Sequence, residues 1–447
     1  MTLANAPTNE SVLDRAVTRA KWRLIPFLIL MYGMAYLDRV NIGFAKQAYQ
    51  ASTGVSDAAF ALGAGLFFLT YALFEVPSNL ILHRVGARRW LARIMVTWGV
   101  VASAMMFAHT DTSFYILRLI LGATEAGLFP GVILFLTYWF PADKRAKILG
   151  VFYFGSPIAL ILGGPISGAL LELHGLFGLE GWQVLFVVEG LASSLVGIWA
   201  YFYLNDGPAE ARWLPDDERI ALTRAIEAEE RQKQAHGETS FASVLRNPRM
   251  AHFAAIYFLI QITGLGVAFY LPTQVGALLG VKVGLLVGFV SAIPWLCALI
   301  AGATWPGLAE RLDQRKRFGA ISLLGIGVGL VVSAHGSPLV AIAALCFVTM
   351  GIMTAQPIFW TYPTAYLGGT AAAGGFALIN AVGGLGGFFA PNIRAGAQAA
   401  FDSPAAGLYG IAAAAFLALI LFVMLPPDRG GSGLLGAARR APQSLIL

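Results

Sequence analysis

The chain holds 447 residues, 57% of them hydrophobic and only 12% charged, with a mean hydropathy of +0.71. Soluble domains carry roughly 25% charged residues, and half that share leaves too little polar surface to cover a chain of this length in water. The natural solvent is therefore lipid, and the sequence pI near 9.3 reflects where the basic residues sit rather than an affinity for nucleic acid.

A membrane-crossing helix needs about 20 mostly apolar residues, because no backbone polar group can stay unpaired in hydrocarbon. Residues 1–22 form a polar, basic N-terminal segment. No signal peptide is expected, since the apolar run that follows is too long and lacks a small-residue cleavage site. The first span, near 23–45, contains Tyr32, Tyr36, Asp38, Arg39 and Asn41. Helical spacing sets Tyr32, Tyr36, Arg39 and Gly43 along one stripe, with Asp38 about 100° round. The second span, near 58–81, carries Glu75 and runs into a loop with His83, Arg84, Gly86, Arg88 and Arg89. Glu75 beside that loop reads as a gating contact. The third span falls near 91–108. The fourth, near 113–138, carries Arg118 and Glu125, seven apart and so on one face.

The fifth span, near 147–172, holds Gly163-Gly164-Pro165, which reads as a bend, and the sixth, near 182–204, holds Glu189. Residues 205–249 are the longest polar stretch and are expected to form a solvated, partly helical connector. A second set of spans falls near 250–272, 284–306, 318–334, 338–362, 373–399 and 405–425, ahead of a tail at 426–447. These carry Tyr257 and Gln261 on the seventh span, a second charged loop with Glu310 and Arg311, Trp360 on the tenth, and Asn380 among glycines on the eleventh. The fold class expected is an all-α membrane protein of twelve helices in two six-helix bundles, 23–204 and 250–425.

Twenty-five of the 30 Lys and Arg fall in the two terminal segments and alternate loops; the opposite loops are assigned only Lys46, Lys282 and Arg394. By the positive-inside rule the crowded side is cytoplasmic, and both termini lie there. The other two, Arg39 and Arg118, sit inside spans, where an ionisable group needs a partner or an aqueous cavity. Two acids, Asp38 and Glu125, lie at matching depth. One reading is a pair of buried salt bridges that pin the helices, an arrangement of little net benefit. The other is that arginine captures a carboxylate while the acids load and release protons. Glu125, without an adjacent arginine in sequence, is the stronger proton carrier. Glu189 reads more readily as structural than as functional.

Cys297 and Cys346 read as apolar fillers, and the six histidines show no metal spacing. No Walker-type loop is present, so ATP-driven transport by this chain is not expected. No cofactor, metal or nucleic-acid partner is expected.

These residues resemble the major facilitator superfamily and, within it, the anion:cation symporters, from about Trp22 to Pro426. The loop Asn79 to Arg89 is similar to the superfamily's gating loop, with His83 in place of the usual aspartate, and Glu310 to Lys316 is a degenerate second copy. Tyr36-Leu37-Asp38-Arg39-Val40-Asn41, Glu75-Val76-Pro77-Ser78-Asn79, Arg118 through Gly122 to Pro130, Tyr138-Trp139-Phe140-Pro141 and Ala377-Leu378-Ile379-Asn380 are similar to that family's hallmarks, and Phe74 to Arg89 and Asp206 to Leu214 in particular resemble bacterial tartrate and related organic-acid transporters. The resemblance implies anion binding and proton coupling at Asp38, Arg39, Arg118 and Glu125. Gly384, where relatives often have asparagine, departs from the pattern.

The expected function is a non-enzymatic secondary transporter, importing a small organic anion by proton symport with the bilayer as its medium, acting as a monomer in a bacterial inner membrane. Three alternatives stay open. They are proton-driven efflux of another solute, a membrane enzyme using Asp38 or Glu125, and a sensor that binds ligand without moving it.

Overall fold

The computed structural model describes residues 9–234, 247–366 and 370–425. Among them every regular element is a helix. Six runs come first: Asn9–Thr53; Asp57–Val85; Ala87–Ala104; Asp111–Glu125 with Leu128–Trp139; Ala142–Tyr153 with Gly155–Glu172; and Gly181–Tyr203. A helix at Asp216–Gln234 follows. Then come Pro248–Leu279; Leu285–Arg311; Arg315–His335; Pro338–Tyr366; Thr370–Gly384 with Gly386–Phe401; and Pro404–Val423. We number these runs as the first to twelfth spans. The expected tail at 426–447, connector residues 235–246 and the first eight residues lie outside the described residues.

Ten of the twelve runs, among the described residues, are long and apolar enough to cross a membrane, with mean hydropathies between 1.5 and 2.4. The first is less apolar because Asp38, Arg39 and Asn41 interrupt it. The eleventh is split into pieces of 15 and 16 residues. The two halves pack alike: third on sixth as ninth on twelfth, and second on fourth as eighth on tenth.

The breaks differ from expectation. The fifth span runs straight through Pro165 and breaks instead at Phe154. The pair Gly163-Gly164 serves packing, since a Cβ on Gly164 would lie 2.5 Å from the carbonyl oxygen of Gly288 on the eighth span. Small residues let membrane helices approach this closely where no hydrophobic force drives them together. The fourth span breaks at Gly127, whose φ of +91° suits glycine. Glu125 is thereby left at the C-terminal end of its own helix.

The halves join between second and eleventh, fifth and eighth, and first and seventh spans. Their close approaches gather at the end opposite the arginine-rich loops: Gly43 against Phe269, Gly65 against Phe388, and Gly168 against Gly284. There Glu172 also accepts a hydrogen bond from the Leu285 amide at 2.8 Å. Lys46 and Arg394, assigned to loops from the sequence, are instead buried in the first and eleventh spans. Lys46 pairs with Asp57 at 2.7 Å, and both cations lie against the ring of Tyr270, at 5.1 and 4.1 Å.

At the arginine-rich end the connector helix is docked rather than freely solvated. Arg19 reaches buried Glu218 at 2.9 Å, Arg145 reaches Glu229 at 2.9 Å, and Arg23 stacks on Tyr203 and Trp213.

Candidate substrate and coupling site

Glu125 is 1% exposed. A carboxylate at a helix C-terminus faces the negative end of the dipole and is disfavoured there, so it needs a cation from elsewhere. Arg39 supplies it from the first span. Its Nε donates to Oε1 of Glu125 at 2.7 Å, and its Nη2 lies 2.6 Å from the same oxygen in an ion pair. The guanidinium is flanked by the rings of Tyr71 at 4.7 Å, Phe67 at 5.8 Å and Tyr36 at 5.9 Å. Charge-assisted bonds of this length are the strong kind, and the aromatic faces add cation–π attraction where water is scarce.

Arg118 shares a helix face with Glu125 but does not bond to it. Its Nε and Nη2 donate to the carbonyls of Gly63 and Ala64 on the second span, at 3.3 and 3.1 Å, and it sits over the ring of Phe67. It lies within electrostatic reach of both Asp38 and Glu125. Asp38 likewise has no arginine in direct contact. It accepts from Asn41 at 2.9 Å and from the indole of Trp98. Of the two salt bridges considered from the sequence, one forms, and it links Arg39 to Glu125.

Tyr32 stacks among Tyr36, Phe129 and Phe152. On the second half, Tyr257 accepts a hydrogen bond from Gln356 at 2.8 Å and packs on Trp360 at 5.0 Å. Trp360 also meets Phe376 of the eleventh span. Tyr257 is within electrostatic reach of Tyr36 and Tyr153 across the halves. Gln261 packs beside Gly386. Asn380 donates to Glu75 at 3.3 Å and so links the eleventh span to the second.

Expected from the sequence as a gating contact beside the loop, Glu75 instead meets the eleventh span at the junction between halves. His83 is elsewhere, bonded to the hydroxyl of Tyr138 at 2.9 Å. This contact joins the loop to the end of the fourth span. Gly86 has a φ of +98°, and Asp206 accepts from the Arg88 amide beside it at 2.7 Å. Arg84 and Arg89 are exposed, as is Arg311, and Glu310 pairs with Arg315 at 3.2 Å.

Sequence reading missed Phe67 and Tyr71, although Phe67, Tyr71 and Glu75 recur every fourth residue on one face of the second span. It also missed Gln356 and Trp98, whose roles depend on which helix lies opposite. Among the described residues no cluster could hold a metal ion.

The Major Facilitator Superfamily model matches residues 28–391. The chain belongs to this superfamily. Among its relatives are the inner membrane transport protein RhmT of Escherichia coli, 45% identical over 93% of this chain and 96% of that one, and a "Putative tartrate transporter" of Agrobacterium vitis, 40% identical over 95% and 98%. A quinolone resistance transporter of Acinetobacter baumannii is 37% identical over 92% and 94%. The fold matches that of the xylose transporter XylE of Escherichia coli in a partially occluded inward-open conformation, with a TM-score of 0.71 at 13% identity, covering 92% of this chain and 99% of that one. Membership makes the chain a multi-pass membrane transporter of small organic substrates.

Proposed function

We propose that the chain imports a small organic anion, tartrate or a related carboxylate, by proton symport with alternating access of its two halves. The contact of Arg39 with Glu125 carries this reading. The Arg39 guanidinium already holds a carboxylate oxygen through Nε–H, with Nη2 in ion-pair contact, so Glu125 occupies the place a substrate carboxylate would take. An arriving anion displaces Glu125, and the freed acid, buried at a helix C-terminus, takes up a proton. Binding of anion and proton are thereby tied together. The charge balance favours such coupling, since moving one elementary charge against 100 mV costs about 2.3 kcal/mol and each proton cancels one charge.

In this reading Arg39 and Arg118 anchor the anion, while Tyr32, Tyr36, Tyr257, Gln261, Trp360 and Asn380 line its path. Asp38 and Glu125 carry protons, and the loop from His83 to Arg89, with its second copy at Glu310 and Arg311, regulates the rocking of the halves. The protein works as a monomer in a bacterial inner membrane, with the arginine-rich end and both termini in the cytoplasm.

The test is uptake of a panel of organic acids, tartrate included, into proteoliposomes with and without an inward proton gradient. Gradient-dependent accumulation of one acid is expected. No uptake of any acid by folded protein would sink the reading and favour export of another solute, the alternative that similarity to a quinolone resistance transporter supports.

A further inference from the structure

A third carboxyl lies outside the Arg39–Glu125 pair. Glu189, on the sixth span, is 2% exposed. Its Oε2 accepts from Asn41 Nδ2 at 2.9 Å, and its Oε1 meets Ser167 Oγ at 2.8 Å. The same Asn41 nitrogen donates to Asp38 Oδ1 at 2.9 Å, and Trp98 donates to the other Asp38 oxygen. An amide nitrogen carries two hydrogens and no accepting role, and an indole only donates, so both Asp38 oxygens are acceptors. The first span presents Asp38 and Asn41 to this cluster, the fifth Ser167 and the third Trp98. Among the described residues, Asp38 is the ionisable group that faces Glu189.

Counting charge decides the state of Glu189. Arg39 and Arg118 bring two positive charges, and Asp38 and Glu125 already match them, with Glu75 a further acid toward Arg39. A charged Glu189 would add an uncompensated negative charge a single amide away from Asp38. Ser167 Oγ donates to Oε1 in this arrangement, but a hydroxyl can turn to accept, so as an acid Glu189 can donate its proton to Ser167 Oγ while its other oxygen accepts from Asn41.

We propose that Glu189 is a proton-binding site of the first six-helix bundle, holding a proton in this arrangement and sharing one negative charge with Asp38 across Asn41. Its place in a transport cycle rests on the symport reading above; the proton itself does not. On that reading, loss of the Glu189 proton puts a second negative charge beside Asp38 and sets the alkaline limit of transport.

Infrared difference spectroscopy of the purified full-length protein, titrated from neutral to alkaline pH without substrate, tests the proton directly. A protonated-carboxyl stretching component is expected at neutral pH that vanishes on alkalinisation. It should be missing in Glu189→Gln and kept in Glu189→Asp and Glu125→Gln. Its persistence at wild-type size in Glu189→Gln overturns the proposal. Should that variant not fold, Ser167→Ala keeps the carboxyl and removes its hydroxyl partner. The component should then move to higher frequency, and an unmoved one overturns the proposal.

Exchange of a transported acid gives the second readout. Glu189→Gln should carry exchange to at least tenfold lower proton concentration than the wild type. An unchanged pH profile overturns the role in the cycle. Failure of every acid to be taken up would sink the transport reading and leave the infrared component to decide Glu189.

Discussion

The two halves share a fold but not a chemistry. Among the described residues, Asp38, Lys46, Arg118, Glu125 and Glu189 are the buried acidic and basic side chains of the first six spans, and Arg394 is their counterpart in the last six. Where the first half places Arg39 on Glu125, the second places Tyr257, Gln356 and Trp360. Repeated helix packing therefore does not require repeated function. One half can hold the groups that change charge while the other offers a shape and a few amides. Keeping the charges within one rigid bundle also lets their mutual distances survive a rocking motion, because that motion changes contacts between bundles rather than inside them.

The sharpest way to break this comparison is Glu125→Gln. Gradient-driven accumulation should be abolished while exchange of substrate across the membrane is partly kept, as radiolabelled uptake and counterflow would show. Unchanged accumulation would remove Glu125 from the coupling and weaken the assignment of charge chemistry to the first half. Arg39→Lys comes next. An ammonium cannot place two fixed N–H groups on one carboxylate, and a charged hydrogen bond is worth roughly 1.5–3 kcal/mol, so substrate affinity should fall about 12- to 160-fold. Wild-type affinity in equilibrium binding would sink the anchor role.

How much of this could be read in advance differs between levels. The twelve runs were legible because hydrocarbon forces backbone groups into uninterrupted helices about 20 residues long. The breaks were not, since Pro165 is tolerated inside a helix while Gly127 turns the chain where its neighbour Ser78 leaves no room for a side chain. Seven-residue spacing placed Arg118 and Glu125 on one face, yet Arg118 turned to the carbonyls of Gly63 and Ala64. Those acceptors are reachable only because the second and fourth spans approach closely, with Gly122 against Phe67. Partnership between helices depends on rotation about each axis, and periodicity within one helix does not fix it. Lys46 shows the same limit for depth: it follows a long apolar run and proved buried because its helix continues past it to Thr53.

The second half is tested by Tyr257→Phe. This removes the hydroxyl that accepts from Gln356 while leaving the ring on Trp360. A neutral hydrogen bond contributes about 0.5–1.5 kcal/mol, so KM should rise roughly 2- to 12-fold. The pH profile of transport should stay as in the wild type, because no charge-changing group is touched. A shifted profile would show that the second half takes part in proton chemistry after all.

The smallest effect is expected at the seam. Asn380 meets Glu75 at 3.3 Å, a long contact in a partly exposed setting, so Asn380→Ala should change KM only about twofold. A loss much beyond that would mean that Asn380 touches the substrate rather than serving the seam. A double-mutant cycle with Glu75→Gln separates these cases, because residues that act only through one another give non-additive effects. If the double variant behaves like either single one, the link between halves is the whole of Asn380's role. If the effects add, the eleventh span contributes its own contact to the anion, and the division of labour between the halves is less complete than the buried charges suggest.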